Sequence, residues 1–200
     1  MRHPFEEEVK KIRKAEYPIH GLILNRWSPR SMTAEEITDE ELFPLFEAAR
    51  WAPSSYNNQP WRFLYAKRSH PDWSLFFDLM IPFNQSWTKN ASVLLLIISD
   101  KYFEHNRKPC RTHSFDAGAA WMGMALEGAW RGLVVHGMEG FDYERAQVSL
   151  KIPDNYQVEA LVAIGKRAPF TLLSEELQQR EKPSTRKPIS EIAREGAFPW

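Results

Sequence analysis

Two hundred residues with 43% hydrophobic and 13% aromatic side chains are enough to bury a real core, which excludes a disordered chain. The 26 basic side chains are balanced by 26 acidic ones, so no global field exists to hold a nucleic acid or an anionic membrane surface. The single cysteine, Cys110, excludes an intrachain disulfide and any metal or redox site built on two thiols, and suits a reducing cytoplasm.

In chain order, the charged residues 1–18 lack the apolar stretch of a secretory signal, and a helix over about residues 1–20 is expected to lead the chain. Thr38 and Glu41 form a capping-box pattern ahead of Leu42, Leu45, Phe46 and Ala49, which fall on one helical face; this helix should end near Ala52-Pro53. Residues 61–66 read as a strand and 93–98 as a second, covered on both faces. That second run is the longest strongly apolar one, far short of the about 20 residues a bilayer span needs, so a soluble cytoplasmic protein with no membrane partner is expected.

Between 116 and 131 the small residues Ala117, Ala120, Ala125, Gly128 and Ala129 share a helix with Trp121, Met124 and Trp130, a pattern that admits a second helix closely. The short apolar pair Val134-Val135, a Gly-containing turn, a small helix and a strand over 158–165 follow, and a Pro-containing arm occupies about 181–200. No repeat or linker divides the chain, so one domain spanning 1–200 with an α+β sandwich is expected.

Three segments carry the chemistry. Arg26, Ser28 and Arg30 alternate with Trp27 and Pro29, so in an extended backbone two guanidinium groups and a hydroxyl converge on one side, suited to an anion such as phosphate; a solvated basic turn has the same composition. Residues 52–61, with Pro53, Ser54, Ser55, Asn57, Asn58 and Gln59, offer neutral donors and acceptors for a heterocycle, although ordinary helix-to-strand turns use the same residues. Gly137-Met138-Glu139-Gly140 allows close backbone approach to a ligand and equally makes a plain tight turn. His105, Cys110 and His113 are near in sequence but follow no recognised ligand spacing, so no metal is expected. No Gly-x-Ser-x-Gly pattern frames Ser28 or Ser54 as a nucleophile.

Taken together, the Arg-x-Ser-x-Arg start, the Ala52-Pro53-Ser54-Ser55 loop ending in Gln59-Pro60-Trp61, the Asp116-Ala-Gly-Ala-Ala helix opening, Glu139-Gly140-Phe141-Asp142, the strand ending in Gly165 and the Arg186-Lys187-Pro188-Ile189 tail resemble the FMN-dependent nitroreductase family from about Leu22 to Ile192. The resemblance implies an α+β sandwich around a mixed, mainly antiparallel sheet, in an intertwined homodimer with FMN at the interface. It implies that Arg26, Trp27, Ser28, Arg30 and Arg186 hold the flavin phosphate and ribityl chain, and that Pro53, Ser54, Ser55 and Asn57 reach the partner's flavin. It further implies that Asn84 bonds the ring edge and that Gly137, Met138, Glu139 and Gly140 place a backbone N–H near flavin N5. The implied activity is ping-pong electron transfer from NAD(P)H to a nitroaromatic, quinone or related small acceptor, and the flavin supplies the redox chemistry, so no catalytic side chain is required. An enone reductase, a reductive dehalogenase, a flavin-processing enzyme or a non-catalytic flavin binder would share this pattern. Met32, Trp87, Ser184, the His136-led turn and the short segment 100–116 depart from the common family pattern.

Overall fold

The computed structural model describes residues 6–198. Its helices are α1 (Glu6–Lys10), α2 (Gly21–Asn25), α3 (Asp39–Arg50), α4 (Trp73–Phe77), α5 (Pro82–Thr88), α6 (His113–Trp130), α7 (Tyr143–Ser149), α8 (Glu175–Arg180) and α9 (Ile189–Ile192). The strands are β1 (Trp61–Lys67), β2 (Val93–Asp100), β3 (Leu133–Met138) and β4 (Tyr156–Lys166), in the order β1-β2-β4-β3. All three strand pairings are antiparallel, so the mainly antiparallel expectation holds throughout the described residues.

Side-chain alternation splits each inner strand between two cores. Val93, Leu95 and Ile97 of β2 pack with Val135, Val162 and Ile164 under Leu42 and Leu45 of α3 and Ala117, Ala120 and Met124 of α6. Leu94, Leu96 and Ile98 face the opposite layer, with Phe76, Leu79, Met80 and Trp87. Burial on both faces explains why β2 is apolar throughout rather than alternating. The small residues of α6 admit α3 as expected: a Cβ on Gly123 would stand 2.9 Å from the Ala48 carbonyl oxygen, so only hydrogen fits there.

The capping box is complete, with the Glu41 N–H donating to Thr38 Oγ1 at 3.3 Å and the Thr38 N–H donating to Glu41 Oε2 at 2.9 Å. Thr38→Ala should cost about 1 kcal/mol, read as a lower urea midpoint with an unchanged m-value.

Two differences from the sequence reading have physical causes. Residues 1–5 lie outside the described residues, and the helix expected over about 1–20 amounts to Glu6–Lys10 within them, followed by turn and loop to residue 20. Val9 is the one buried side chain among those described in that stretch, too little to hold a long helix, and Pro18 disfavours helical backbone at Tyr17. In β4 the register passes from Ile97↔Ala160 to Ile98↔Val158, which leaves Glu159 without a cross-strand partner in a β-bulge. Among the described residues no helix is long and apolar enough to cross a membrane.

Candidate functional site

The chain leaves α2 extended at Arg26 (φ −63°, ψ 119°), and the alternation takes hold there. Trp27 and Pro29 are buried, while Arg26, Ser28 and Arg30 are half-buried. Arg26 Nη1 donates to Ser28 Oγ at 3.3 Å, and the guanidinium stands 6.0 Å from the Trp121 ring centroid on α6. Trp27 itself turns inward onto Val9 and Leu24, with Arg167 4.7 Å over its ring, so only its backbone belongs to the basic segment.

The fold brings two more arginines to this place. Arg13 Nη1 donates to the carbonyls of Leu24 (2.7 Å) and Arg26 (2.8 Å), and its Nε donates to the Ser184 carbonyl (2.8 Å), so one side chain ties the N-terminal segment, the basic segment and the C-terminal arm. Arg186 donates to Ser184 Oγ at 2.8 Å. A groove of about 420 Å³ runs between residues 12–24 and 185–192, with Arg13 and Arg186 in its wall. Among the described residues no carboxylate pairs with Arg13, Arg26 or Arg186. Burial, Arg186 and Arg26 hold Arg13 down at about 10, and burial followed by Arg186 lowers Arg26, as expected of like charges crowded without an anion.

Arg30 is anchored through its main chain. Its N–H and that of Ser31 both donate to the Glu181 carboxylate, at 2.9 and 3.0 Å, while its buried Nε lacks a protein partner. Behind this segment lies His136, whose Nδ1–H donates to the Pro29 carbonyl at 2.8 Å and whose ring packs 4.5 Å from Trp87. Burial, then the nearby Arg30 and Arg26, depress its pKa to about 4, so the imidazole is neutral near pH 7.

β3 ends beside these groups. Gly137 faces α6, where an added Cβ would meet the Trp121 ring at 3.3 Å, and the buried Trp121 Nε1 has no partner. The Met138 side chain points into the opposite core, so only its backbone belongs to the turn. Glu139 is exposed, and the Gly140 carbonyl accepts from the Ile81 N–H (3.1 Å) and from Asn84 Nδ2 (3.0 Å). Asn84 Oδ1 in turn accepts from Trp87 Nε1 at 3.3 Å, so the amide fixes the turn in place. A Cβ on Gly140 would stand 2.7 Å from that amide nitrogen.

The amide-rich loop makes its bonds to α6 and the 101–111 segment. The Ser55 N–H donates to Asp116 Oδ2 at 3.1 Å, and Thr112 Oγ1 donates to Ser55 Oγ at 2.7 Å, binding the loop to the opening of α6. Ser54 Oγ accepts from the Gln59 N–H (3.0 Å), and Asn58 clamps the 101–111 segment through the Tyr102 carbonyl and the Glu104 N–H. Tyr56, Asn57 and Gln59 adopt left-handed backbone, with φ of 52°, 54° and 47°. Pro53 and Asn57 stand exposed at the surface. His105 packs on Tyr56 and Phe103, Cys110 is buried and His113 bonds Ser99, so these three residues do not converge.

The nitroreductase family model matches residues 23–166 of this chain. The chain belongs to the nitroreductase family. A crystal structure described as an oxidoreductase containing FMN shares 45% identity with this nitroreductase-family chain, covering 94% of it and 96% of the other, with a TM-score of 0.89. A Desulfovibrio desulfuricans protein of nitroreductase type, solved in complex with FMN, is 26% identical over 92% of this chain and 100% of its own, with a TM-score of 0.71. A Thermus thermophilus protein named NADH dehydrogenase is 25% identical over 173 residues, 71% of this chain and 83% of that protein. The four-stranded sheet with helices on both faces is thus the nitroreductase fold, and the chain is of an oxidoreductase family.

Sequence reasoning missed Arg13, Glu181 and the Asp116–Thr112–Ser55 network. Arg13 carried a faint signal, since it follows Val9 by four residues and so lies on the side of the segment that docks.

Proposed function

We propose that this nitroreductase-family chain binds FMN against Arg26, Ser28 and Arg30 and passes electrons from NAD(P)H to a nitroaromatic, quinone or related small acceptor. The observation that carries the reading is the convergence of Arg13, Arg26 and Arg186, none of them ion-paired with a carboxylate among the described residues, which suits a dianion such as a phosphate monoester. The unpartnered buried Arg30 Nε and Trp121 Nε1 supply donors for such a ligand. FMN, when bound, supplies the two-electron chemistry. Arg26 and Arg186 would hold its phosphate, Arg13 would keep the two arms against it, and the Asn84–Gly140 pair would set the position of the Glu139 turn.

A homodimer completes the reading. On α6 the residues Phe115, Ala119, Met122 and Leu126 recur at helical spacing on a face left at least partly open, with Phe115 80% exposed, and a second copy would bury that stripe. The loop at Pro53, Ser54, Ser55 and Asn57, tied to the opening of α6 rather than to the arginines, would then reach the partner's flavin. Of the terminal Phe198-Pro199-Trp200, the last two lie outside the described residues, and Phe198 is exposed. Sedimentation of the flavin-loaded protein at micromolar concentration should give a dimer; a persistent monomer refutes this part.

The deciding experiment is the visible spectrum of the purified protein, followed by anaerobic addition of NADH or NADPH and then of an acceptor. Flavin absorbance that bleaches with the donor and returns with the acceptor supports the enzyme. Absorbance that neither donor bleaches marks a flavin-binding protein without turnover.

Asn84→Ala should shift the flavin midpoint potential more than flavin affinity, by about 1 kcal/mol for one neutral hydrogen bond, or about 20 mV for two electrons. Spectroelectrochemical titration checks it, and an unchanged potential removes Asn84 from the ring edge.

A further inference from the structure

The C-terminal arm has little packing of its own. Beyond Glu181 it forms the short helix α9, and of residues 182–198 Pro183 alone is buried. Its ties run to residues 13–31: Glu181 takes the N–H groups of Arg30 and Ser31, the Ser184 carbonyl accepts from Arg13 Nε, and the Ile189 N–H donates to the Glu16 carboxylate at 3.3 Å.

The tie at Glu181 differs from the others in chemistry. Its Oε1 accepts from the Arg30 N–H at 2.9 Å and from the Ser31 N–H at 3.0 Å, and its Oε2 stands 3.0 Å from the same Arg30 nitrogen. Two successive main-chain N–H groups aimed at one oxygen form a concavity suited to an anion, and here the arm supplies the carboxylate. Ser31 is buried, so its N–H needs this acceptor. The rest of the segment is fixed by other elements: Ser31 Oγ donates to the Pro169 carbonyl at 2.7 Å, the Ser31 carbonyl accepts from the Ala168 N–H at 3.1 Å, and the Pro29 carbonyl accepts from His136. The Arg30 side chain, with its buried and unpartnered Nε, therefore starts from a backbone that Glu181 holds.

Arg186 depends on the same bond. The chain from 181 to 186 reaches at most roughly 17 Å, and Pro183 fixes one φ within it, so fastening Glu181 confines Arg186 to the neighbourhood of Arg30. Its arrival is recorded electrostatically: after burial, the charge of Arg186 is the next cause that lowers both Arg13 and Arg26.

We propose that Glu181 is the positioning residue of the anion site, setting the main chain under Arg30 and delivering Arg186 to Arg26, so that a phosphate monoester is held tightly only while the arm is fastened. This rests on the flavin reading above. Glu181 acts through the two arginines and not on the ligand. Its geometry matters and its charge does not: Oε1 by itself takes both N–H groups, so the carbonyl oxygen of a glutamine can replace it, and removing a negative charge near a phosphate does not weaken binding.

Equilibrium titration of the apoprotein with FMN and with riboflavin, followed by flavin fluorescence, tests the proposal without turnover. Glu181→Ala should weaken FMN about ten-fold, the scale of one lost charge-assisted bond, and leave riboflavin unchanged, whereas Glu181→Gln should bind FMN as the wild type does. Arg186→Ala alone should weaken FMN, yet added to Glu181→Ala it should cost nothing further, because the loosened arm has already withdrawn that arginine. Should Glu181→Ala fail to fold by circular dichroism, Glu181→Asp, one methylene too short to hold both N–H groups, carries the same expectations. Tighter FMN binding in Glu181→Ala overturns the inference, since the carboxylate then occupies the place of the phosphate. Unchanged FMN affinity overturns it as well, as do equal weakening of both ligands, which marks a general structural role, and full additivity with Arg186→Ala. A wild type that holds FMN no better than riboflavin brings down the phosphate reading itself, and the inference with it.

Discussion

Between pH 6.5 and pH 4 the protein is expected to lose about 3 kcal/mol of stability through one residue, His136. Its ring is buried on Trp87, its Nδ1–H is spent on the Pro29 carbonyl, and Arg30 and Arg26 oppose a second positive charge beside it, so its folded pKa is about 4. The unfolded chain titrates at about 6.5. Above that pH both states are neutral and the residue adds no pH dependence. As pH falls below it the unfolded state takes up the proton first, which favours unfolding at about 1.4 kcal/mol per pH unit until the folded state also protonates near 4. Urea unfolding at pH 7 and pH 4.5 should show the loss in wild type and a shallower loss in His136→Asn, which keeps a donor for Pro29 but has nothing to titrate. An equal loss in both proteins would assign the effect to carboxylates instead.

The same residue shows where sequence reading stops. Thr38 with Glu41, the alternation at Arg26, Ser28 and Arg30, and the small residues of α6 were legible because capping, strand period and helix period act between near neighbours in the chain. His136 was noted only as an unusual lead into a turn; its buried, neutral state depends on Pro29 and Trp87, brought from other elements. Arg13 reads as one more charge in a charged terminus until the fold carries Ser184 to it across 171 positions of sequence. The β4 bulge had a signal that went unread: Val158 and Leu161 are spaced three apart, which a regular two-residue alternation cannot place on one face. The resemblance placed Trp27 and Met138 in the binding segments, and the side chains of both point into cores, so only their backbones belong to those segments.

Arg26→Ala should weaken FMN binding about ten- to a hundred-fold while leaving riboflavin binding nearly unchanged. A phosphate monoester carries close to two negative charges at neutral pH, and losing one charge-assisted hydrogen bond to it costs roughly 1.5–3 kcal/mol. Arg26 is the arginine best placed to show this, because burial and then the neighbouring Arg186 lower its affinity for a proton, the second of these recording a positive potential that an anion relieves. Arg13 is a poorer choice, since its three bonds to main-chain carbonyls make it a structural tie whose loss would loosen both arms. Arg26 has two contacts of its own, the bond to Ser28 Oγ and the approach to the Trp121 ring, and either could make its removal disturb the ring pocket rather than the phosphate. Riboflavin separates these effects, because it retains the ring and the ribityl chain and lacks only the phosphate. Fluorescence titration of the apoprotein with both ligands gives the comparison directly: selective loss of FMN places the phosphate at Arg26, and equal weakening of both ligands removes it and assigns Arg26 to the pocket wall beside Trp121.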